Sequence, residues 1–263
     1  MHQGFGARST ADSVLGPMSL RSRHVLVTGV SSGLGRETAR ALVTRGARVI
    51  GTAPDPEALG EAGDALRDAA WECGGRFSVE RLDLDALDSV RDCAARLVAR
   101  GEVFDLVIAE EGSSPAAAGL GRFVLANRIA PLLREGARLI SLAAPPPGGG
   151  DAPDRAAALL FAVAFDRRHR GRGVRAAAVH PGSIRPEGSA PVGQGRPWPG
   201  LKTVREAAAT PVWAGLVAPA EAVGGRFCAD CRVGPGPGPA GGGGAEALWA
   251  RSESLAGERF RAP

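Results

Sequence analysis

The stretch Thr28-Gly-Val-Ser-Ser-Gly-Leu-Gly35 constrains this chain more than any other. It closes HVLVTG (24–29), an aliphatic and β-branched run that reads as a strand, and opens GRETARALVTRG (35–46), which reads as a helix. At such a junction each glycine has its own task. Gly29 permits the tight turn, Gly33 lets the backbone approach a pyrophosphate, and Gly35 permits close packing of helix on strand. The helix N-terminus then offers unpaired N–H groups and a positive dipole end to the phosphates. The nucleotide-binding candidates in this loop are Gly29, Ser31, Ser32, Gly33, Leu34, Gly35 and Arg36.

The pattern continues downstream. Strand-like runs at 47–53, 76–84, 103–110, 137–144, 174–182 and 225–233 alternate with helical stretches. In the helical stretch 86–101, Leu87, Val90, Ala94 and Leu97 fall on one face. This alternation predicts an α/β fold, a Rossmann-type doubly wound parallel sheet of about seven strands with helices on both faces. A chain of 263 residues suits one such domain over 23–233. Residues 1–22 read as a flexible leader, 234–244 (GPGPGPAGGGG) as a Gly/Pro linker, and 245–263 as a C-terminal helix and tail.

Composition removes several other classes. The net charge is +4, and the basic residues are spread along the chain with few aromatics, so no nucleic-acid surface is indicated. No apolar run reaches the roughly 18 residues of a membrane span, and the first 22 residues lack a signal-peptide core. A cytoplasmic protein is expected. Of four cysteines only Cys228 and Cys231 form a C-x-x-C, which without a second pair is expected to be two reduced thiols and no metal site. Lys202 is the single lysine, and Gly plus Pro reach 58 residues, a bias expected of a GC-rich genome such as an actinobacterium's. The chain contains no tyrosine, which excludes a phenol from any mechanism.

The loop 28–35, together with SSGLGRETARAL, the block ALLFAVAFDRRHRGRGVRAAAVHPGSIRPE and the late TPVWAGL…GGRFCADCRV, resembles the retinol-dehydrogenase-like branch of the short-chain dehydrogenase/reductase family over roughly 22–233. The resemblance implies NAD(P)-dependent oxidation of alcohols or reduction of carbonyls, a small-molecule substrate, and a homo-oligomer or a pairing with a related subunit. It carries the adenine contacts onto Asp83 and Leu84, and the nicotinamide side onto Pro181 and Gly182. At the end of the second strand the acid of an NAD enzyme is replaced by Ala53, followed by Pro54. Asp55 reads as a helix cap. Arg36 tilts the expectation towards NADP.

Towards the reacting end the family pattern departs. Its Asn-Asn-Ala-Gly becomes Ala109-Glu110-Glu111-Gly112, which puts carboxylates near a pyrophosphate they would repel unless screened or protonated. Ala118 aligns with the catalytic Asn, leaving Asn127 one helix face further on. Ala143-Ala144 replaces Ser-Ser, with Ser141 too early, and Pro186 replaces a Thr. His180 belongs to a structural H-P-G. Asp151 takes the Tyr position and Arg155 the Lys position. An ionised carboxyl beside an arginine is a poor acid, and a planar guanidinium is no simple lysine replacement. Asp151 and Arg155 remain the catalytic candidates, against a reading in which DAPDR only starts a helix with Pro153 in its first turn. Three functions stay open: an atypical NAD(P)-dependent oxidoreductase, a non-redox enzyme on the same fold, and a non-catalytic partner subunit.

Overall fold

The computed structural model describes residues 4–110, 119–143, 153–185, 200–234 and 241–260. Its centre is a sheet in the order β3-β2-β1-β4-β5-β6-β7-β8. These strands are β1 (His24–Val27), β2 (Arg48–Ala53), β3 (Arg76–Arg81), β4 (Phe104–Ala109), β5 (Leu133–Leu142), β6 (Arg175–His180), β7 (Phe227–Ala229) and β8 (Arg232–Val233). The first seven run parallel, and each crossover carries helix, as a parallel sheet requires. The long helices are α2 (Gly33–Val43), α3 (Gly60–Glu72), α4 (Leu87–Ala99), α5 (Leu120–Ile129) and α6 (Pro153–His169).

Strand alternation divides the core in two. Leu26, Val107, Leu139 and Ala178 face one side, where they meet Val90, Ala94 and Leu97 of α4 and Phe123, Phe161 and Phe165 of α5 and α6. Val25, Val27, Ile108, Ile140 and Val179 face the other side, against Ala39, Leu42 and Val43 of α2 and Leu66 and Ala70 of α3. The doubly wound fold is therefore as expected, and the expected face of α4 is the one that packs.

The edges of the domain differ from expectation. The strand expected over 225–233 is a hairpin: β8 pairs antiparallel with β7, with Cys228 opposite Val233 and Ala229 opposite Arg232. Asp230 and Cys231 make the turn with φ of 53° and 54°, which makes an eighth strand out of an apparent seventh. The leader is not loose over its described part. Thr10 caps α1 (Ala11–Leu15) in a capping box with Ser13, and Ala11, Val14, Leu15 and Leu20 are buried in the core beside α2. One helical turn is too short for periodicity to reveal. Asp12 also pairs with Arg40 of α2 at 2.6 Å.

The glycine run behaves similarly. Residues 241–244 belong to α10 (Gly241–Ala256) rather than to a linker. Three short helices precede it: α7 (Val204–Ala207), α8 (Ala209–Val212) and α9 (Ala220–Val223). Four glycines have poor helix propensity, so tertiary packing holds this first turn. Ala245, Trp249 and Ala256 bury against α5 and α6 in the same core as the sheet. Trp249 sets its ring edge-on to Phe123 at 4.9 Å, lies 4.0 Å beneath the Arg168 guanidinium and donates to Glu253 Oε1 at 3.1 Å. No described helix is long and apolar enough to cross a membrane.

If α10 is part of this core, Trp249→Ala should lower the unfolding free energy by about 3–5 kcal/mol in urea with an unchanged m-value. A loss below about 1 kcal/mol would show that α10 is not an integral layer.

Candidate nucleotide site at the strand-order reversal

Between β1 and β4 the winding of the sheet reverses, and a crevice opens at the C-terminal edge of the strands. Four segments converge there: the loop after β1, the end of β2, the segment after β3 and the end of β4. They enclose a cavity of about 250 Å³ lined by Gly29, Ser31, Ser32, Asp83, Leu84 and Glu110, with Thr52, Pro54, Leu82 and Asp85 completing the wall. Five of the sequence candidates thus meet in one place.

The loop is held by its own backbone. Thr28 N–H donates to Ile108 O at 3.0 Å, Val30 N–H to Thr52 O at 2.9 Å, and Ser32 N–H to Gly29 O at 2.9 Å. Gly29 sits at φ +69°, a conformation that favours glycine. At Gly35 a Cβ would collide with Gly29 O, so only glycine allows α2 to close on the turn. Ser32 caps α2, its Oγ accepting from Gly35 N–H at 2.9 Å. Gly33, Leu34 and Gly35 form the first turn of α2 and Arg36 follows them. Arg36 lines the groove between α2 and α3, together with Ala62 and Ala65, rather than the 250 Å³ cavity.

On the adenosine side, Asp83 Oδ1 accepts from Asp85 N–H at 2.9 Å, and Asp83 N–H donates to Ser89 Oγ at 3.0 Å. This local turn orients Asp83 and Leu84 into the wall. Ala53 is buried, and Asp55 Oδ1 accepts from Glu57 N–H at 3.1 Å at the start of a short 3-10 turn. Among the described residues no carboxylate therefore stands at the end of β2 in the position of a ribose acid.

Glu110 changes the phosphate turn. Its N–H donates to Thr28 Oγ1 at 2.7 Å, fixing it beside the loop. Its Oε1 accepts from Ser32 Oγ at 3.0 Å, and its other oxygen lies where a Cβ on Gly29 would stand. Burial pushes the carboxyl up to about 7, opposed only by the Ser32 hydrogen bond. The glycine turn and the Asp83–Leu84 wall thus share one cavity, and a side-chain carboxyl lies over the turn at Gly29.

The remaining candidates are dispersed. Pro181 and Gly182 follow β6, with β5 between that strand and β4, and they do not line the cavity. Gly182 lies under the side chain of Lys202, whose Nζ pairs with Asp230 at 2.6 Å. His180 ends β6 with its ring stacked 6.5 Å from Phe227. Ser141 is fully buried, on the face of Leu139 and Ala143, and its hydroxyl has no partner among the described residues. Asn127 Nδ2 donates to Phe123 O at 2.8 Å, one turn back in α5. Arg155 lies in the first turns of α6, which begins at Pro153. Asp151, Ala118, Ala144, Glu111 and Pro186 lie outside the described residues.

Two buried cations were not singled out as site residues from the sequence. Arg122 of α5 is 1% exposed and donates to Leu142 O at 3.0 Å, beneath the end of β5. Lys202 is nearly as buried, beside Gly182. No sequence signal marks either, because both are set by contacts between distant segments. Cys228 in β7 and Cys231 in the β7–β8 turn are free thiols, and burial pushes Cys228 up to about 12. Among the described residues no group of three metal-ligating side chains occurs.

A doubly wound sheet with a capped glycine turn at its reversal point defines a nucleotide-binding dehydrogenase fold. The short chain dehydrogenase family model matches residues 23–122. The bovine (Bos taurus) dehydrogenase/reductase SDR family member 13 is 30% identical over 92% of this chain and 75% of its own length. Human retinol dehydrogenase 14 is 28% identical over 82% and 80%. Among solved structures, a Mycobacterium paratuberculosis protein of uncharacterised function shares 26% identity with a TM-score of 0.64, covering 92% of this chain and 96% of that one. A Burkholderia cenocepacia short chain dehydrogenase in complex with NADP has the same fold, with a TM-score of 0.63, 23% identity and coverage of 80% and 96%. The chain belongs to the short-chain dehydrogenase/reductase family.

Glu110 gives a stability prediction with a definite sign. A carboxyl raised from 4.5 to about 7 in the fold contributes stability below its unfolded value, and that contribution is lost as pH rises through 7. Relative to the parent, Glu110→Gln should gain up to about 3 kcal/mol between pH 5 and pH 8. Parallel stability curves across that range would show that the carboxyl is not displaced from its ordinary value.

Proposed function

We propose that the chain binds NAD(P)(H) at the crevice and acts as an oxidoreductase on a small carbonyl or alcohol substrate without a phenol-based proton relay. The observation that carries this is the single cavity joining the glycine turn of Gly29, Ser31 and Ser32 to Asp83 and Leu84. The first turn of α2, with Gly33, Leu34 and Gly35, would hold the pyrophosphate by backbone N–H groups and helix dipole. Asp83 and Leu84 would flank the adenine, and Pro181 and Gly182 the nicotinamide end. The NADP(H) form is favoured because no carboxylate is offered to the ribose 2′-hydroxyl, Asp55 being tied to Glu57 N–H. Arg36 does not strengthen that preference, since it faces α3.

The bound nicotinamide supplies the hydride, so the protein's contribution is binding and orientation. Proton delivery is the weak half. With no tyrosine in the chain, the acid step falls to solvent or to Asp151. Loss of a positioned acid costs about 10²–10⁴-fold in rate, so slow turnover is part of the proposal. Asp151 and Arg155 then act in the helix start more than in chemistry. A cytoplasmic homo-oligomer, or a pairing with a related subunit, completes the reading that the family resemblance suggests.

Calorimetric titration with NADPH and NADH tests the core of it. The expected result is saturable binding of at least one, tighter for NADPH, and a slow cofactor oxidation on a carbonyl panel. Binding of neither at millimolar concentration overturns the proposal. Asp151→Asn should change that slow rate by less than about threefold, whereas a loss of a hundredfold would make Asp151 a general acid.

A further inference from the structure

We propose that Glu110 is a built-in competing anion, a side-chain carboxyl that occupies the phosphate turn and must be displaced before a cofactor pyrophosphate can enter. This rests on the cofactor reading above and adds what regulates that site.

The geometry makes the contact specific. β4 lies next to β1 in the sheet, so the residue that follows one strand and the turn after the other are forced together. The 2.7 Å bond from Glu110 N–H to Thr28 Oγ1 sets the distance between them. The side chain then folds over Gly29, filling the space that the missing Cβ leaves open. That space, with backbone exposed and a helix N-terminus behind it, is what the glycine turn offers to an incoming phosphate. Ser32 is the link. Its hydroxyl accepts from Gly35 N–H at 2.9 Å and donates to Glu110 Oε1 at 3.0 Å, so α2 reaches the carboxyl through its own cap.

The surroundings make the carboxyl displaceable. The segments packed around it contribute Ser31 and Ser32 from the turn, Thr52 and Pro54 from the end of β2, and Asp83 and Asp85 from the segment after β3. The charged members are both acidic, and no arginine, lysine or histidine acts on Glu110 among the described residues. Among the described residues one hydroxyl is thus the side chain's only polar partner, a weak hold for an anion. Burial favours the protonated carboxyl, and displacement into solvent returns it to its ordinary range, so entry of the pyrophosphate should be coupled to release of a proton near neutral pH. Below neutrality the protonated carboxyl would hold the turn. Above it, the ionised carboxyl would leave the turn more readily and the cofactor would enter.

The test is calorimetric binding of NADPH, and of ADP-ribose as a probe with the same pyrophosphate and no nicotinamide, at pH 6.0 and pH 8.5. The parent protein, Glu110→Gln and Glu110→Ala are compared, with circular dichroism confirming the fold of each. In the parent, affinity for both ligands should rise about tenfold from pH 6.0 to 8.5. Titrations at pH 6.0 in buffers of different ionisation enthalpy should show net proton release by the parent. In Glu110→Gln the pH dependence and the proton release should vanish. Glu110→Ala, which leaves the turn empty, should bind about tenfold more tightly than the parent at pH 6.0. Equal affinities and equal proton counts in all three proteins would overturn the proposal while leaving cofactor binding intact. Binding of neither ligand by any of the three would instead overturn the cofactor reading, and this inference with it. If neither variant folds, an absence of both pH dependence and proton release in the parent overturns it alone.

Discussion

The contact on which the site depends is the approach of α2 to the turn after β1, where Gly35 meets Gly29 O with no room for a side chain. It aims the N-terminus of α2 at the crevice and lets Ser32 serve as the cap. Because β1 is central, with β2 on one side and β4 on the other, this junction also fixes which other segments can reach the crevice. Thr52, Asp83 and Glu110 arrive there for topological reasons, without any mutual pattern in the chain.

Binding and chemistry have separate physical foundations in this fold. The binding half rests on backbone geometry: a glycine turn, a capped helix and a tight Asp83–Asp85 turn. Such features tolerate replacement of most neighbouring side chains. The reacting half of a family member rests on individual side chains, and here the chain has no tyrosine, fully buries Ser141 and turns Asn127 back on its own helix. A chain can therefore keep the first while altering the second. Glu110 joins the two halves, since a carboxyl placed at the turn by β4 alters binding without disturbing the backbone that makes the turn.

Much of the fold was legible along the chain because its signals are local. Strand runs and the α4 face of Val90, Ala94 and Leu97 follow periodicity, and the glycine spacing follows backbone sterics. Pro153 starts α6 as its fixed φ suggests. The misread parts are those in which packing overrode local preference. Gly241–Gly244 are helical because Ala245 and Trp249 anchor the turns after them, and one turn at Ala11–Leu15 is stable because three of its residues are buried. The 225–233 run became a hairpin because Asp230 and Cys231 took left-handed conformations that no composition rule required.

The sequence by itself determined the doubly wound sheet, the phosphate turn and the absence of a phenol, since each depends on residue type and spacing within a short stretch. It also placed two carboxylates in succession at 110–111, without saying what either touches. Only the tertiary structure decided that the Glu110 carboxyl lies on Gly29 under Ser32, that Arg36 turns to α3, and that Lys202 is buried against Gly182. Those outcomes come from segments far apart in the chain and brought together by strand order, and strand order is a property of the whole sheet.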